Sequence, residues 1–547
     1  MKRMLLFFVL LIIVLSLSAQ AEEWLWAQQA GGTGYDVGNA IASDAAGNTY
    51  LGGYFEGTAS FGSTNLSSSG GSDIFVAKMD NTGNWLWAKQ AGGTGGDYGY
   101  AITSDAAGNT YVSGHFEGTA SFGSTNIISS GDSDIFVAKM DTNGNWLWAK
   151  RAGGTSNDHG CAITSDAAGY TYVSGDFSGT ANFGSTSLTS SGSYDIFVAK
   201  MDANGNWLWA KQAGGTAYDI GHAITSDAAG NTYVSGSFLG TASFGSTNLS
   251  SSSGSRDIFV AKLDSNGNWL WAKRAGGTGF DYGQAITSDA AGNTYVSGYF
   301  EGTASFGSTN LTSSGYVDIF VTKIDANGNW LWAKRAGGTD WDEGFAITSD
   351  AAGSTYLSGS FRGTASFGST NLSSSSVSID IFVAKLDANG NWLWAKQAGG
   401  TSDDFGIAIT SDAAGNTYVS GGFTGTASFG GTSLTSSGNS NIFVAKIGYT
   451  TSIDDDLAPE TNSSCLHGAW PNPLRPGETA LVKTTVAPGE TGYLTFFNLR
   501  GQTIARHILY TGTQETSFNN SGLSSGIYFY QLQAGNYKEV KKLILAK

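Results

Sequence analysis

The stretch Asn84-Trp85-Leu86-Trp87-Ala88-Lys89 decides how this chain is read, because its WLWA core recurs at Trp24, Trp146, Trp207, Trp269, Trp330 and Trp392. Successive copies lie 61 or 62 residues apart. A fixed period of this length means that each unit is one supersecondary module, which buries its apolar surface only by stacking on its neighbours. The stretches between copies keep one order: an AGGT loop, a DAAGN turn, a TYVSG run, a long polar segment, a DIFVAK run and an NGN turn.

One unit, Trp85 to Asn145, divides by alternation and turn chemistry into four short strands. Ala101 to Ser104 leads through DAAGN to Thr110 to Phe116, and the polar segment EGTASFGSTNIISSGDS leads to Ile135 to Met140. DTNGN then connects to the next WLWAK. Asp, Asn and Gly supply the side-chain caps and positive φ that tight hairpins need, so each unit is expected to be a four-stranded antiparallel meander. Alternation sets Trp85 and Trp87 against Leu86 and Ala88, and Ile135 and Val137 against Phe136 and Ala138, which makes both faces apolar. Such a sheet suits a blade packed between two others, as in a radial β-propeller. The array begins with a fourth-strand sequence, Trp24 to Ala27, and ends with a third strand, Asn441 to Ile447. Closure of a ring accounts for both ends. The expected fold class is therefore all-β: a seven-bladed β-propeller of four-stranded blades closed by the N-terminal strand, followed by a small β-sandwich.

The chain has 547 residues and 40% apolar content, enough for two folded units. All five prolines lie after residue 450, and residues 449–465, with Asp454, Asp455 and Asp456 among Thr, Ser and Asn, read as a linker. Residues 22–449 carry 36 acidic and 18 basic side chains, whereas residues 466–547 carry 4 and 8. The acidic array repels phosphate backbones and argues against nucleic acid. Lys2 and Arg3, an apolar run from Met4 to about Leu17, and Ala19-Gln20-Ala21 make residues 1–21 a secretory signal peptide. No later run is long enough to span a bilayer, so the mature chain is expected not to cross one, and to be a monomer. Cys161 and Cys465 lie in different units by this reading and are expected to be free thiols. The expected domains are 1–21 leader, 22–448 propeller, 449–465 linker and 466–547 C-terminal domain.

The units resemble the seven-bladed β-propeller repeats of bacterial secreted proteins (SBBP-type repeats) in DIFVAKMD, NGNWLWAK, AGGTGGDYG and SDAAGNTYVSG, over about residues 24–447. Departures are Asn441 for the Asp before the third strand, Tyr170 and Ser354 in the DAAGN turn, and Thr322 in FVAK. The resemblance implies the fold and an exported location. Residues 466–547 alternate in Tyr493 to Phe497 and Ile527 to Leu532, a small sandwich pattern. They resemble the C-terminal sorting domain of type IX secretion cargo, with Pro471, Asn472 and Pro473 at its proline motif, Gly526 and Tyr528 in its Gly-aromatic strand, and Lys541 and Lys542 in its basic last strand. That resemblance implies the type IX machinery as partner, and delivery to the surface or exterior of a Gram-negative bacterium by way of the periplasm.

Among near-identical copies the informative positions are those that differ. Tyr98 and Tyr100 have as counterparts His159 and Cys161, Ile220 and His222, Tyr282 and Gln284, Glu343 and Phe345, and Phe405 and Ile407. The position before the loop aspartate adds Tyr35, Tyr218, Phe280 and Trp341. Long loops on a rigid scaffold concentrate binding residues. Tyr98, Tyr100, His159, Tyr218, His222, Phe280, Tyr282, Trp341, Glu343 and Phe405 are thus the candidate ligand-binding set, for a surface protein or polysaccharide engaged by aromatic contacts. The competing reading is that they fill space between loops. Asp36, Asp97, Asp158, Asp219, Asp281, Asp342 and Asp404 recur in every unit, and capping of each loop is the simpler account than a Ca²⁺ ring. No nucleophile elbow, HExxH pair or P-loop is present, and no catalytic residue, metal ligand or cofactor is assigned. The expectation is a non-enzymatic binding or adhesion module; the alternative is a secreted hydrolase using His159, His222 and Glu343.

Overall fold

The computed structural model describes residues 22–449 and 464–546, except 45, 106, 167, 253, 290, 351, 352, 376, 377, 413, 471, 473, 476, 477, 488 and 536. The expected leader, nearly all of the expected linker, Pro471 and Pro473 lie outside the described residues. The chain divides into two compact units, Met1–Thr450 and Thr451–Lys547.

The first unit is built from antiparallel sheets in which each repeat contributes a four-stranded meander, those of the last, first and second repeats being joined into one 12-stranded sheet. In the third repeat, Asp158–Ser165, Thr171–Phe177, Asp195–Met201 and Trp207–Ala213 pair in that order. The turn aspartates set the hairpins: Asp44 Oδ1 accepts the N–H groups of Ala46 and Asn48 at 3.0 and 2.9 Å, and Gly47 takes a φ of 79° that a Cβ would disfavour. Third strands supply the core. Phe75 and Ala77 are fully buried with Leu51 and Phe55 of their own repeat and with Ile442 and Val444 of the last. Each such Phe or Val withdraws its side chain wholly from water, worth about 1.5–3 kcal/mol.

The last repeat takes its fourth strand from the start of the array. Glu22–Gly32 runs antiparallel to Asn441–Tyr449, with Trp26 opposite Lys446 and Ala30 opposite Ile442. First and last repeats also share the bonds that join neighbours. Tyr172 Oη donates to Gly230 O at 3.3 Å and Tyr295 Oη to Gly353 O at 3.4 Å, and Tyr418 Oη donates to Gly47 O at 3.2 Å. The first strand of each sheet packs against that of the next, and Asp404–Ser411 packs against Val37–Ser43.

Two features depart from the sequence reading. The polar segment between second and third strands is itself a hairpin, Thr180–Phe183 with Thr186–Thr189 in the third repeat. Its TANF alternation buries Ala181 and Phe183 and leaves Thr180 and Asn182 exposed, and Phe183 meets Trp207 edge-on at 5.3 Å. Ser, Thr and Gly hide a period-2 pattern that only two apolar residues carry. The fourth strand, in turn, is not apolar on both faces. Met140 pairs with Trp146 and Lys139 with Trp148, so Leu147 is the extra residue of a β-bulge and half its surface is exposed.

The second unit has a three-stranded sheet (Cys465–Trp470, Thr479–Val486, Gly512–Asn519) and a four-stranded sheet (Thr503–Leu509, Gly492–Asn498, Gly526–Ala534, Tyr537–Leu545). Leu466, Val482, Leu494, Phe496, Tyr530 and Leu543 share one core between them. Asn472 clips the last strand: its Nδ2 donates to Lys542 O and its Oδ1 accepts from Ile544 N, both at 2.9 Å. Gly526 opens the Gly-aromatic strand at a φ of 154°, Tyr528 is buried in it, and Lys541 lies 3.6 Å from Glu539. Cys161 and Cys465 are both free thiols.

Candidate functional site

A second β-bulge, on the first strand of every repeat, builds the site. In the third repeat Gly160 pairs with Gly175 and Ala162 with Ser174, so Cys161 has no partner of its own. The same slip isolates Asn39, Tyr100, His222, Gln284, Phe345 and Ile407. Glycine at 175 is required, because a Cβ there would lie 1.9 Å from His159 O. A bulge re-aims its extra side chain, and here all seven converge on one cavity of about 450 Å³. His159, Asp176, Tyr218 and Ile220 complete its wall.

The wall combines polar and aromatic side chains with the apolar Ile220, Phe345 and Ile407. His159 Nδ1 lies 2.9 Å from Asp176 Oδ2, and Cys161 Sγ lies 3.6 Å from Asp176 Oδ1. Burial opposes protonation of His159, but the Asp176 hydrogen bond and charge outweigh it and raise its pKa. His222, 3.3 Å from Ser237 Oγ, is driven by burial to about 4, and burial beside His159 drives His115 to about 3. Both are neutral at pH 7. Burial and the Asp176 charge push the Cys161 thiol well up, which favours its protonated form.

Aromatic contacts run along the mouth from repeat to repeat. Tyr54 meets Tyr98 at 4.9 Å, Tyr98 and Tyr100 flank His115 at 5.0 and 5.2 Å, and His115 meets His159 at 4.9 Å. Tyr194 stacks on His159 at 6.0 Å and meets Tyr218 at 4.6 Å, while Tyr282 lies 4.9 Å from Tyr299.

Of the ten candidate residues, Tyr100, His159, Tyr218 and His222 line the cavity. Tyr98 and Tyr282 stand behind the wall: Tyr98 stacks on Tyr100 at 6.3 Å and Tyr282 lies 6.5 Å from His222. Phe280 and Trp341 stand outside it, about half exposed, and Trp341 stacks on Tyr316 at 5.8 Å. Glu343 and Phe405 sit opposite Ser360 and Gly422, and burial raises the Glu343 carboxyl. His159, His222 and Glu343 come from three repeats, and among the described residues no hydrogen bond joins any two of them. The sequence reading missed a second variable column, Tyr54, His115, Asp176, Ser237, Tyr299, Ser360 and Gly422, which faces the first across the hairpin. Variation between the constant Gly and Phe of TYVSGxF is the signal that would have found it.

The recurrent loop aspartates are occupied as caps: Asp36, Asp97 and Asp158 accept the N–H of Gly32, Gly93 and Gly154 at 2.6, 2.7 and 2.7 Å. Asp219, Asp281, Asp342 and Asp404 do the same for Gly215, Gly277, Gly338 and Gly400. Among the described residues no three His, Cys, Asp or Glu side chains cluster closely enough to hold a metal ion.

Residues 469–546 match the family described as Secretion system C-terminal sorting domain. This tail supports an exported protein, with the type IX secretion machinery as the partner it implies and a secreted or cell-surface location. No helix among the described residues is long and apolar enough to cross a membrane. An uncharacterised WD repeat-containing protein of Acanthamoeba polyphaga mimivirus is 24% identical over 435 residues, covering 62% of this chain and 31% of that protein. The regulatory protein FlaEY of Caulobacter vibrioides is 26% identical over 315 residues, covering 52% and 32%. The chain thus spans about a third of the length of the curated relatives it matches. The all-β array and the WD-repeat relative fit a propeller-like repeat protein. Among solved structures, a fungal alcohol oxidase in complex with copper aligns over 96% of this chain and 100% of that one, at TM-score 0.37 and 13% identity. A glycoside hydrolase of family 32 from Bifidobacterium adolescentis aligns over 94% and 96%, at 0.25 and 9%. Scores this low carry no argument about fold or activity.

Proposed function

We propose that residues 22–448 close into a seven-bladed β-propeller of SBBP-type repeats. In this reading the propeller is a non-enzymatic binding module, tethered through residues 449–465 to a sorting domain at 466–547 and exported behind a leader at 1–21. Its ligand, a polysaccharide or surface protein, enters at the mouth of the cavity. One observation carries the reading: the bulge position differs in all seven repeats, Asn39, Tyr100, Cys161, His222, Gln284, Phe345 and Ile407, while the glycine and alanine on either side do not change. A position free to vary in a constant frame, with its side chains converging, suits recognition of an asymmetric ligand. Space-filling would be served as well by one repeated residue.

The test is a glycan and surface-protein array probed with the mature protein, beside a general hydrolase screen. Binding without turnover is expected. Replacing Tyr100, Tyr218 and His222 together by Ala should weaken binding by about tenfold or more, the range of hot-spot aromatics. Turnover abolished by His159→Ala would replace the module with a hydrolase, and binding that maps to the DxxGN turns would move the site to the other end of the sheets.

A further inference from the structure

The position just before the third-strand aspartate holds Ser72, Ser133, Val317, Ile379 and Ser440 in five repeats, but Tyr194 and Arg256 in the third and fourth. Both wedge between neighbouring repeats. Tyr194 touches His159 of its own repeat and Tyr218 of the next. The Arg256 guanidinium carbon lies 5.4 Å from the Tyr218 ring centre and 5.7 Å from that of Tyr282. Its Nη1 donates to Ser237 Oγ at 3.1 Å, and the same oxygen lies 3.3 Å from His222 Nε2. The fork is therefore held in place beside two cavity residues, Tyr218 and His222.

Arg151, Arg274 and Arg335 each pair with a buried aspartate, Asp134, Asp257 and Asp318. Arg256 forms no ion pair among the described residues. The nearby carboxylates are committed elsewhere: Asp219 accepts the N–H groups of Gly215 and Leu239 at 2.7 and 3.0 Å, and Asp176 holds His159. A positioned guanidinium with free N–H donors matches a carboxylate in two-point geometry. At the loop end, the exposed large apolar side chains of the GGT loops and third-strand starts are all flat rings: Tyr35, Tyr218, Phe280, Tyr316 and Trp341. Ring faces suit the C–H faces of sugars.

Resting on the binding reading above, we propose that Arg256, bracketed by Tyr218 and Tyr282, is the subsite for the carboxylate of an acidic sugar unit in a polysaccharide. About a third of the array's 36 acidic residues lie far from this point. Thirteen of its aspartates stand in the DxxG turns at the far end of the sheets, and physiological salt screens charge beyond about 8 Å. Burial also lifts Asp219, the nearest loop cap, to about 6, which blunts its charge below that pH.

The experiment measures binding of the mature protein to polygalacturonate, to its methyl-esterified form and to a neutral glucan of similar length, by calorimetry. Polygalacturonate should bind, and the esterified and neutral chains should bind about tenfold or more weakly, the value of a charge-assisted hydrogen bond. Arg256→Gln should remove that preference without changing the weaker binding, and Arg256→Lys, which keeps the charge but not the fork, should recover only part of it. A melting temperature within the wild-type range qualifies each variant. Equal binding of acidic and neutral chains overturns this inference and leaves the module reading standing. Binding of a poly-glutamate peptide with no glycan bound overturns it in favour of an acidic protein partner.

Discussion

Asp97 is buried under its loop, and burial, opposed by the Gly93 N–H, lifts its pKa to about 7. Asp158, Asp281, Asp342 and Asp404 are lifted to about 7 and Asp36 and Asp219 to about 6, in each case chiefly by burial. An unfolded aspartate ionises near 3.9, so from about pH 4 to about pH 7 the folded array binds more protons than the unfolded chain. Stability therefore falls as pH rises through that window and levels off above it. The turn aspartate Asp80 is the opposite case: burial opposes ionisation, but the hydrogen bonds from Asn84 and Thr82 together outweigh it and lower the carboxyl to about 2, so its contribution is lost only in acid. Calorimetry should find a melting temperature several degrees higher at pH 5 than at pH 8, with the difference reduced in an Asp97→Asn, Asp158→Asn variant. A rising melting temperature over that range would refute the assignment. That these aspartates cap was legible from their presence in every copy. That they sit in so dry a place was not, because burial of the loop depends on the hairpin packed over it.

At the scale of the element, the two bulges of each repeat do different work. The outer one turns Leu86, Leu147 and their counterparts to solvent; the inner one turns Tyr100, Cys161 and theirs into the cavity. The four strands and their turns could be read from DAAGN, NGN and alternation. Bulges could not, since an extra residue shifts pairing without changing composition, and strict alternation then assigns Leu86 to a buried face. Leu147→Ser should change stability by no more than about 0.5 kcal/mol, as an exposed site. Phe136→Ala, at a fully buried third-strand site packed on Phe122, should cost about 3–5 kcal/mol. Denaturant melts of the two variants check the contrast, and similar losses would show that Leu147 is covered.

For the whole molecule, the pairing of Glu22–Gly32 with Asn441–Tyr449 joins residues more than 400 positions apart. Loop closure over that length costs only slightly more entropy than over one repeat, and it covers an edge that would otherwise pair with other chains. Deleting residues 22–32 should uncover the Asn441–Tyr449 edge, lower the melting temperature and produce self-association on size-exclusion chromatography. Unchanged melting and a monomeric elution volume would mean that the strand is dispensable, and would count against a closed ring.

By itself the sequence determined the repeat, its period, the turn chemistry, the all-β class and the two sets of variable positions from which most of the cavity wall is drawn. These are local matters, governed by residue type and by alternation within about ten positions. Only the tertiary structure decided that the polar segment is a hairpin, that Leu86 faces water, and that Asn39, Tyr100, Cys161, His222, Gln284, Phe345 and Ile407 share one space while Phe280 and Trp341 stand outside it. The reason is register. A bulge exists only between two paired strands, and convergence of side chains 61 or more residues apart follows from how the sheets pack, which no window along the chain contains.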